Sequence, residues 1–477
     1  MAEPSQRSTD RYDLVVIGLG SGGRLASEFA VEQLGLRVAA VERDRVGGDC
    51  LWTGCVPSKT LLASARTAHT IRHADRLAIG AQPPEIDLTA VWRRIAAVQE
   101  DIATTDDDPD RLRSIGIDVV EGEARVTGAH EVTVGDQVLS TRYILVATGS
   151  RPLIPPLDGI AAADVLTSEN LFAVERPPDS LVIVGGGPIG CEIAQALNRL
   201  GVRVVLVEAA DRLLPRDDPE HAGRLADILE AEGVEVRLGR SVTRVRSGGE
   251  GVNVWIDGAG KVTAAGIFVA AGRLPNVEPL ELDRLGIELT RDGVTVDDRN
   301  RTSVPSIYAV GDVTGRALFT HAAGYDGVLA VRDMFLPGRG TAPALVPWCT
   351  FTDPEVAHVG LTEAEAIERH GRRKVTVRRR GLEHSDRARA EATTDGEVAI
   401  VTAGGKIVGG HAISPRAGEL IHELVLAIHA GMKLSDLAEM IHVYPTLSSE
   451  VGHLAADTGY EMARRARLLA KAGRLRR

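Results

Sequence analysis

The chain has 477 residues, of which 44% are hydrophobic and 25% charged, and its formal net charge is −11. Its length exceeds the ~250–300 residues at which one hydrophobic core stops growing, so we expect two to four domains. The acidic balance argues against nucleic acid or an acidic membrane as a partner, no apolar run approaches the ~18 residues of a membrane span, and only four cysteines indicate a reducing, cytoplasmic setting.

A strand, a glycine turn, a helix and a second strand open the chain. Residues 13–17 are a β-branched run, the turn carries Gly18, Gly20 and Gly23, and the second strand ends in Glu42. Such glycines let backbone N–H groups approach a pyrophosphate at a helix N-terminus, and the acid would accept hydrogen bonds from a ribose. Together they predict a dinucleotide-binding unit.

Two cysteines follow, five positions apart, as Cys50 and Cys55. In a regular helix they would be at least ~7.5 Å apart, whereas a disulfide needs Cα atoms within ~4.4–6.8 Å. The Thr53-Gly54 step permits the necessary break in the helix. Lys59 lies one turn beyond Cys55 and would lower the pKa of that thiol. We predict that the two cysteines are a redox-active pair. The alternatives are two unrelated buried cysteines or half of a zinc site. Because the chain has no second closely spaced cysteine pair to complete a zinc site, no metal site is predicted.

The same unit recurs later in the chain. A second apolar strand leads into a turn with Gly185, Gly187 and Gly190, and the next strand ends in Glu208. The two copies also share a second sequence feature: a strand ends in a glycine turn at Val146-Ala147-Thr148-Gly149 and again at Val269-Ala270-Ala271-Gly272. Two copies of one architecture predict two bound dinucleotides; the alternative is two unrelated glycine turns.

The remainder of the chain has a different sequence pattern. Residues 121–143 alternate like short strands, and a late strand ends in Gly311-Asp312. After residue 340, a strand-like stretch around Gly404-Gly405 and helical patterns over residues 420–431 and 448–470 carry no nucleotide signature. We therefore expect a separate α+β domain at the end of the chain.

In this order the motifs resemble the FAD-dependent pyridine nucleotide–disulfide oxidoreductases, which include glutathione reductase, dihydrolipoamide dehydrogenase and mercuric reductase. The resemblance runs from Asp13 to about Ala470. It implies an α/β fold with two Rossmann-like dinucleotide-binding domains, for FAD and NAD(P), and a C-terminal α+β dimerisation domain that makes a homodimer. The implied segments are 10–151 (FAD, first part), 152–276 (NAD(P)), 277–340 (FAD, return segment) and 341–477 (dimerisation).

The resemblance also assigns roles to residues. FAD would be held by the first glycine turn and by residues from three later segments: Gly18, Gly20, Gly23, Glu42, Ala124, Thr148, Gly149 and Asp312. The nicotinamide cofactor would be held by Gly185, Gly187, Gly190, Glu208 and Gly272. Lys59 would stand near flavin N5, paired with Glu192, for which the alternative is an ordinary surface acid.

Glu208 bears on the choice between NADH and NADPH. A carboxylate accepts from the 2′- and 3′-hydroxyls but repels a 2′-phosphate. Arg212, four residues later, is the residue that complicates this argument. We expect NADH rather than NADPH.

The implied mechanism passes hydride from NADH to FAD and then reduces the Cys50–Cys55 disulfide, with Cys55 facing the flavin and Cys50 outermost. Disulfide reductases of the family add an acid–base histidine from the partner subunit, in a His-Pro-Thr-x-Ser-Glu segment. Here that place holds Tyr444, and Ser449 replaces the glutamate. Tyrosine titrates near ~10 against ~6.5 for histidine, so Tyr444 is a poor base. His442 and His453 are nearby substitutes, each more simply a surface or interface histidine.

Tyrosine at this place is shared with mercuric reductase, and Trp52, where better-known members have asparagine, points to a mercuric-reductase-like branch. Residues 470–477 carry no vicinal cysteines, and the flavin unit already starts at Asp13, so no N-terminal metal-binding domain is expected. Cys191 and Cys349 are expected to be buried, small apolar residues.

The function we expect is electron transfer from NAD(P)H through FAD and the cysteine pair to a small acceptor: a disulfide, a quinone or a metal ion. One alternative is a dihydrolipoamide dehydrogenase of a 2-oxoacid dehydrogenase complex. Another is a slow-turnover, FAD-bound redox sensor or interaction protein.

Overall fold

A computed structural model describes residues 11–160, 165–248, 251–338 and 345–474. The first strands are β1 (Tyr12–Ile17), β2 (Val38–Glu42), β3 (Ile117–Glu121), β4 (Ala124–Gly128), β5 (Glu131–Val134), β6 (Gln137–Val146) and β7 (Ser150–Pro152). The second unit holds β8 (Ser180–Val184), β9 (Arg203–Val207), β10 (Glu235–Arg237), β11 (Val242–Gly248), β12 (Gly251–Ile256), β13 (Gly260–Ala264), β14 (Gly266–Val269) and β15 (Arg273–Pro275). The later strands are β16 (Leu289–Thr290), β17 (Gly293–Val294), β18 (Ile307–Ala309), β19 (Trp348–Thr350), β20 (Glu355–Gly360), β21 (Val375–Gly381), β22 (Glu397–Ala403) and β23 (Lys406–Ser414).

The α-helices lie between and after these strands. In the first unit they are α1 (Ser21–Glu28), α2 (Gly48–Trp52), α3 (Cys55–Arg72), α4 (Leu88–Ala103) and α5 (Pro109–Ser114). The next are α6 (Ser168–Leu171), α7 (Pro188–Arg199), α8 (Pro219–Ala231) and α9 (Thr320–Phe335). The last are α10 (Glu363–His370), α11 (Asp386–Ala390), α12 (Ala417–His429), α13 (Leu434–Leu437) and α14 (Ser449–Arg474). No helix of these described segments is long and apolar enough to cross a membrane.

Both predicted nucleotide units contain parallel strands. In the first sheet β3, β2, β1 and β6 are parallel and β5 and β4 extend it antiparallel, whereas all four strands of the second sheet are parallel. The first sheet has the order β3-β2-β1-β6-β5-β4, and the second has the order β10-β9-β8-β14. Residues 14–17 of β1 and residues 181–183 of β8 are apolar and buried, as expected for central strands covered on both faces. The late strand β18 returns to the first sheet and pairs in parallel with β6, so the chain leaves this sheet for the second unit and then comes back to it.

The two glycine turns have the same geometry. Gly18 has φ +98° and Gly185 has φ +110°, and a Cβ on either would lie 2.5 Å or 2.4 Å from a carbonyl oxygen of the neighbouring strand end. A Cβ on Gly23 or Gly190 would fall within 2 Å of the carbonyl oxygen of Gly18 or Gly185, respectively. Only glycine allows the helix to pack this closely on its strand, which explains the repeated spacing.

The C-terminal region has the predicted α+β character. Its antiparallel sheet runs β19-β20-β23-β22-β21, and α12 packs on β20 and β23 over a core that includes Leu420, Leu424 and Ile400. The fold is therefore α/β with two Rossmann-like units and a C-terminal α+β domain. The proposed boundary between residues 340 and 341, like the start at residue 10, lies outside the described residues.

Candidate functional site

A cavity of ≈ 1240 Å³, called the first cavity here, collects most of the predicted residues. It is lined by residues of the first glycine turn, the cysteine segment, the second unit and the return segment. Predicted site residues on its wall are Gly18, Gly20, Glu42, Cys50, Cys55, Lys59, Ala124, Thr148, Gly149, Glu192 and Asp312.

A second cavity of ≈ 550 Å³ lies over the second glycine turn. Gly185, Gly187, Glu208 and Gly272 line it. Gly23 and Gly190 lie beneath their own turns, where their role is the close packing described above. Ile189, Phe319, Trp348 and Arg273 line both cavities, which therefore adjoin.

Each acid at the end of a second strand fixes its own glycine turn. Glu42 accepts hydrogen bonds from the backbone N–H of Leu19 at 2.7 Å and, through its other oxygen, from Arg43 and Asp44. Glu208 accepts in the same way from Gly186 at 2.5 Å and Ala210 at 2.7 Å. These bonds place a carboxylate beside each turn, as a ribose-binding acid requires.

The segment between the cysteines breaks the helix where expected. α2 ends at Trp52, Thr53 and Gly54 have non-helical backbone angles, and α3 starts at Cys55. Both cysteines are free and half-buried, and their side chains hydrogen-bond to each other. The irregular step therefore brings the two sulfurs together, as the redox pair requires.

The two thiols have opposite pKa shifts. The hydrogen bond from Cys50 lowers the pKa of Cys55 to about 6, aided by the Thr320 hydroxyl and the charge of Lys59 and opposed by burial and Glu192. The same hydrogen bond, with burial, raises the pKa of Cys50 far above its usual value. Near neutral pH the pair therefore holds one proton, on Cys50, and Cys55 is the thiolate.

Lys59 and Glu192 meet across the two units. Lys59 Nζ lies 3.0 Å from Glu192 Oε2, and Phe351 donates its backbone N–H to the other carboxylate oxygen at 2.9 Å. The Glu192 side chain is 7% exposed, so it is not an ordinary surface acid. Lys59 also stands 4.3 Å from the centre of the Phe351 ring. The lysine is thus fixed in the cavity beside Cys55.

Three residues at this site lie outside the predicted set. The Oγ1 of Thr320, at the start of α9, is 3.3 Å from Cys55 Sγ. Arg273 contacts both Asp49 and Ser150, and Trp348 lines both cavities. Nothing near these residues in the sequence resembles a motif for thiol chemistry, although Arg273 directly follows the glycine turn at Gly272.

Tyr444 is not part of either cavity. Its side chain is 65% exposed on the C-terminal domain, and its hydroxyl donates to Asp386, which raises the tyrosine pKa. His442 and His453 pair with Glu423 and Glu450 and also lie away from the first cavity. Within one chain, none of the three acid–base candidates reaches the cysteines.

The two remaining cysteines differ from each other. Cys191 is fully buried in α7, as expected, and its Sγ lies 3.3 Å from the carbonyl oxygen of Gly186. Cys349 is only partly buried and lines the first cavity. Burial raises the pKa of both thiols, so both remain protonated at neutral pH.

The first cavity fits a bound FAD. It is lined by Glu42, Gly20, Ser21, Cys55 and Lys59, and so joins the acid predicted to bind a ribose to the predicted redox pair. Asp312 lies in the turn that precedes α9, accepts a hydrogen bond from the Ser150 hydroxyl at 2.6 Å and lines this cavity. The donor set is that of a dinucleotide site, with no cluster of three or more metal-binding side chains among the described residues.

Comparison with known proteins gives a consistent result. Residues 12–327 match the pyridine nucleotide-disulphide oxidoreductase family, and residues 346–455 match the dimerisation domain of that family. The chain is 35% identical to a dihydrolipoyl dehydrogenase of Thermus scotoductus, over 92% of this chain and 95% of that protein. It is 32% identical to a mercuric reductase of Lysinibacillus sphaericus, over 92% of this chain and 81% of that protein.

Among solved structures, the chain is similar to the Cu(II) complex of the HOCl-induced flavoprotein disulfide reductase RclA from Escherichia coli. The TM-score is 0.82 at 27% identity, covering 92% of this chain and 99% of that chain.

Proposed function

This chain belongs to the pyridine nucleotide-disulphide oxidoreductase family, and from that premise we propose that it carries electrons from NADH, through FAD and the Cys50–Cys55 pair, to a small acceptor. One observation carries the proposal. The first cavity is lined at once by the first glycine turn, by both cysteines and by Glu192 of the second unit. A nucleotide bound by the second unit and the dithiol can therefore both be served by one site.

FAD, held by Gly18, Gly20, Glu42 and Asp312, would supply the two-electron carrier between the nucleotide and the sulfurs. The chain's own residues prepare the sulfurs. Lys59 stabilises negative charge at Cys55, and Thr320 hydrogen-bonds to the same sulfur. Cys50 keeps the proton and is the outer thiol that meets the acceptor.

The acceptor class we favour is a soft metal ion. Reducing a disulfide requires a proton for the leaving thiol, and positioned acid–base groups contribute ~10²–10⁴ in rate. Tyr444, with its raised pKa, donates a hydrogen bond but is a poor base. A metal bound by thiolates needs no such proton, and thiolates are preferred ligands of soft metals. The mercuric reductase and the Cu(II)-complexed structure among the similar proteins support this choice.

Dihydrolipoamide dehydrogenase is the second candidate. Relatives of that name match nearly the whole chain, among them the Thermus protein at 35% identity. Tyr444 and Ser449 argue against it, because they replace the acid–base histidine and its glutamate. A slow-turnover redox sensor is a third candidate. The intact cysteine pair and the two intact cofactor-binding motifs argue against it.

For the nucleotide, we propose NADH. The Glu208 carboxylate lines the second cavity, whereas Nη2 of Arg212 donates to the carbonyl oxygen of Pro215 at 2.8 Å. Arg216 and Arg240 also line this cavity, so the preference rests on the position of the carboxylate beside the turn.

We also propose that two chains form a homodimer in the cytoplasm. The dimerisation-domain match supports the dimer, as do the exposed apolar side chains of Ile441, 100% exposed, and Val443, 77% exposed, beside Tyr444. In such a dimer Tyr444 would approach the first cavity of the partner. Free cysteines in a chain of this length support a reducing compartment.

Anaerobic titration with NADH, followed by absorbance, tests the proposal, together with turnover on a panel of Hg(II), Cu(II), quinone, oxidised glutathione and lipoamide. We expect two-electron steps for the flavin and for the dithiol, and turnover that falls sharply in Cys50→Ser. Equal turnover of Cys50→Ser with every acceptor would remove the dithiol from the mechanism.

A further inference from the structure

We propose that Arg273 and Asp49 are positioning residues that set the dithiol–disulfide equilibrium of Cys50 and Cys55. They do so by holding the loop that separates the two sulfurs. The inference rests on the proposed function, in that the pair must cycle between dithiol and disulfide. Neither Arg273 nor Asp49 was among the residues predicted to take part in the chemistry of the cysteine pair.

Asp49 holds the loop from inside. Its backbone carbonyl accepts the N–H groups of Thr53 at 3.0 Å and Gly54 at 2.6 Å, and its carboxylate Oδ1 accepts the hydroxyl of Thr53. Cys50 directly follows Asp49, and Cys55 directly follows Gly54. The oxygen atoms of this one residue therefore fix the span across which the two sulfurs face each other.

Arg273 holds Asp49 from outside. Its Nη2 donates to the second carboxylate oxygen of Asp49 at 2.5 Å, and the same guanidinium donates to Ser150 Oγ at 2.7 Å and to the Ser150 carbonyl at 3.0 Å. The arginine side chain is 12% exposed. A guanidinium is charged at every working pH and presents its donors in a rigid plane, so this anchor is both strong and directional.

The anchor stands on a fixed part of the fold. Arg273 opens β15, which pairs antiparallel with β7 between the two nucleotide units. It also lies 3.5 Å from the carboxylate of Asp312, at the first cavity. The loop between α2 and α3 is thereby tied to the two-stranded ribbon of β7 and β15, whose residues line both cavities.

The equilibrium follows from this restraint. Near neutral pH, oxidation of the pair forms one S–S bond, passes two electrons to the acceptor couple and releases the one proton held by Cys50. A disulfide demands close sulfurs, whereas a dithiol does not, so a loosened loop gives conformational freedom mainly to the dithiol form. We therefore expect loss of either residue to shift the equilibrium towards the dithiol.

The test uses the FAD-loaded full chain, equilibrated with mixtures of oxidised and reduced dithiothreitol. The fraction of disulfide is read by alkylation and mass analysis. Asp49→Ala and Arg273→Leu are each expected to favour the dithiol by ~10-fold, which corresponds to ~30 mV. The double variant is expected to shift no further than the larger single shift, because both substitutions remove one restraint.

Arg151→Leu is the matched control. Arg151 lies on β7 of the same ribbon and pairs with Glu278 at 2.6 Å, away from Asp49. It should leave the equilibrium at the wild-type value. Asp49→Asn and Arg273→Lys, which keep size and some hydrogen bonding, serve if the larger changes prevent folding, and should show smaller shifts of the same sign.

Opposite shifts for the two single variants would mean that charge, not restraint, acts on the sulfurs, and would overturn the inference. Wild-type values in both would overturn it too. If the wild-type pair forms no disulfide at any ratio, the proposed function itself fails. The two failures are thus distinguishable without measuring turnover.

Discussion

Lys59 Nζ lies 3.0 Å from Glu192 Oε2, in a contact that joins α3 of the first nucleotide unit to α7 of the second. The two charges act on Cys55 in opposite directions: Lys59 lowers its pKa, and Glu192 raises it. The Cys50 hydrogen bond remains the main cause of the lowered Cys55 pKa, and the ion pair adds two opposing charges to it as well as linking the units.

Lys59→Met and Glu192→Gln should accordingly move the titration of Cys55 in opposite directions. Without the ammonium, the thiolate forms at higher pH, and its alkylation near pH 6 should slow several-fold. Without the carboxylate charge, it forms at lower pH. The measurement is the rate of iodoacetamide labelling of reduced enzyme against pH, with labelled peptides assigned to Cys55. Shifts of the same sign would contradict this account.

The pH dependence of the dithiol follows from its shared proton. Because the pKa of Cys55 is lowered to about 6, thiolate absorbance at 240 nm should appear as the pH rises through about 6 and correspond to one sulfur per chain. Cys50→Ala removes the main hydrogen bond to that thiolate and should move the transition to higher pH. Cys50→Ser keeps a donor and should move it less. Two thiolates appearing together near pH 6 would rule out this arrangement.

Replacement of Tyr444 probes the missing base. Tyr444→His should raise turnover with disulfide substrates by ~10²-fold. Histidine titrates near neutral pH, and acid–base catalysis contributes ~10²–10⁴ in rate. Turnover with Hg(II) or Cu(II) should change little. Tyr444→Phe is the control, because it removes the hydroxyl that donates to Asp386 without adding a base. Equal gains in both variants would show that the imidazole is not responsible.

Glu208→Gln tests the choice of nucleotide. Glutamine can still accept the N–H groups of Gly186 and Ala210 that hold the turn, but it carries no charge to repel a 2′-phosphate. The ratio of kcat/KM for NADH to that for NADPH should fall by ~10-fold, equivalent to ~1.4 kcal/mol. Tenfold better use of NADPH by the wild type would refute the NADH assignment outright.

Asp217 offers a prediction for stability. Its carboxylate is 3% exposed and accepts from Trp348 Nε1 at 2.9 Å, and burial raises its pKa to about 6. Above pH 6 the Asp217 carboxylate is charged in both states, but the charge is buried only in the folded protein and therefore destabilises it. This destabilisation disappears as the pH falls from 6 towards 4, because the folded protein binds the proton first. Asp217→Asn should therefore raise the melting temperature of the FAD-loaded protein at pH 8, by an amount equivalent to at most ~3 kcal/mol, since one pKa unit corresponds to ~1.36 kcal/mol. The difference from the wild type should shrink at pH 5, and a constant difference across this range would contradict the assignment.

Local sequence was sufficient for the nucleotide units and the cysteine segment. Gly18 and Gly185 occupy positions where a Cβ would strike a carbonyl oxygen, so the constraint is written into residue type and spacing. The break at Thr53-Gly54 and the position of Lys59 one turn beyond Cys55 are likewise short-range features. For this reason the fold class and the sulfur pair could be predicted without coordinates.

The rest of the site depends on residues far apart in the chain. Thr320 reaches Cys55 across 265 positions, and Arg273 reaches Asp49 across 224. Such contacts arise because β18 returns to the first sheet and β15 pairs with β7, which no local pattern specifies. The sequence by itself determined the two glycine turns and the spacing of the cysteine pair, from which the bound cofactors and the reacting sulfurs are predicted, since turns and helix spacing are local. Only the tertiary structure decided which side chains surround those sulfurs and set their protonation, because that requires distant strands to be brought together.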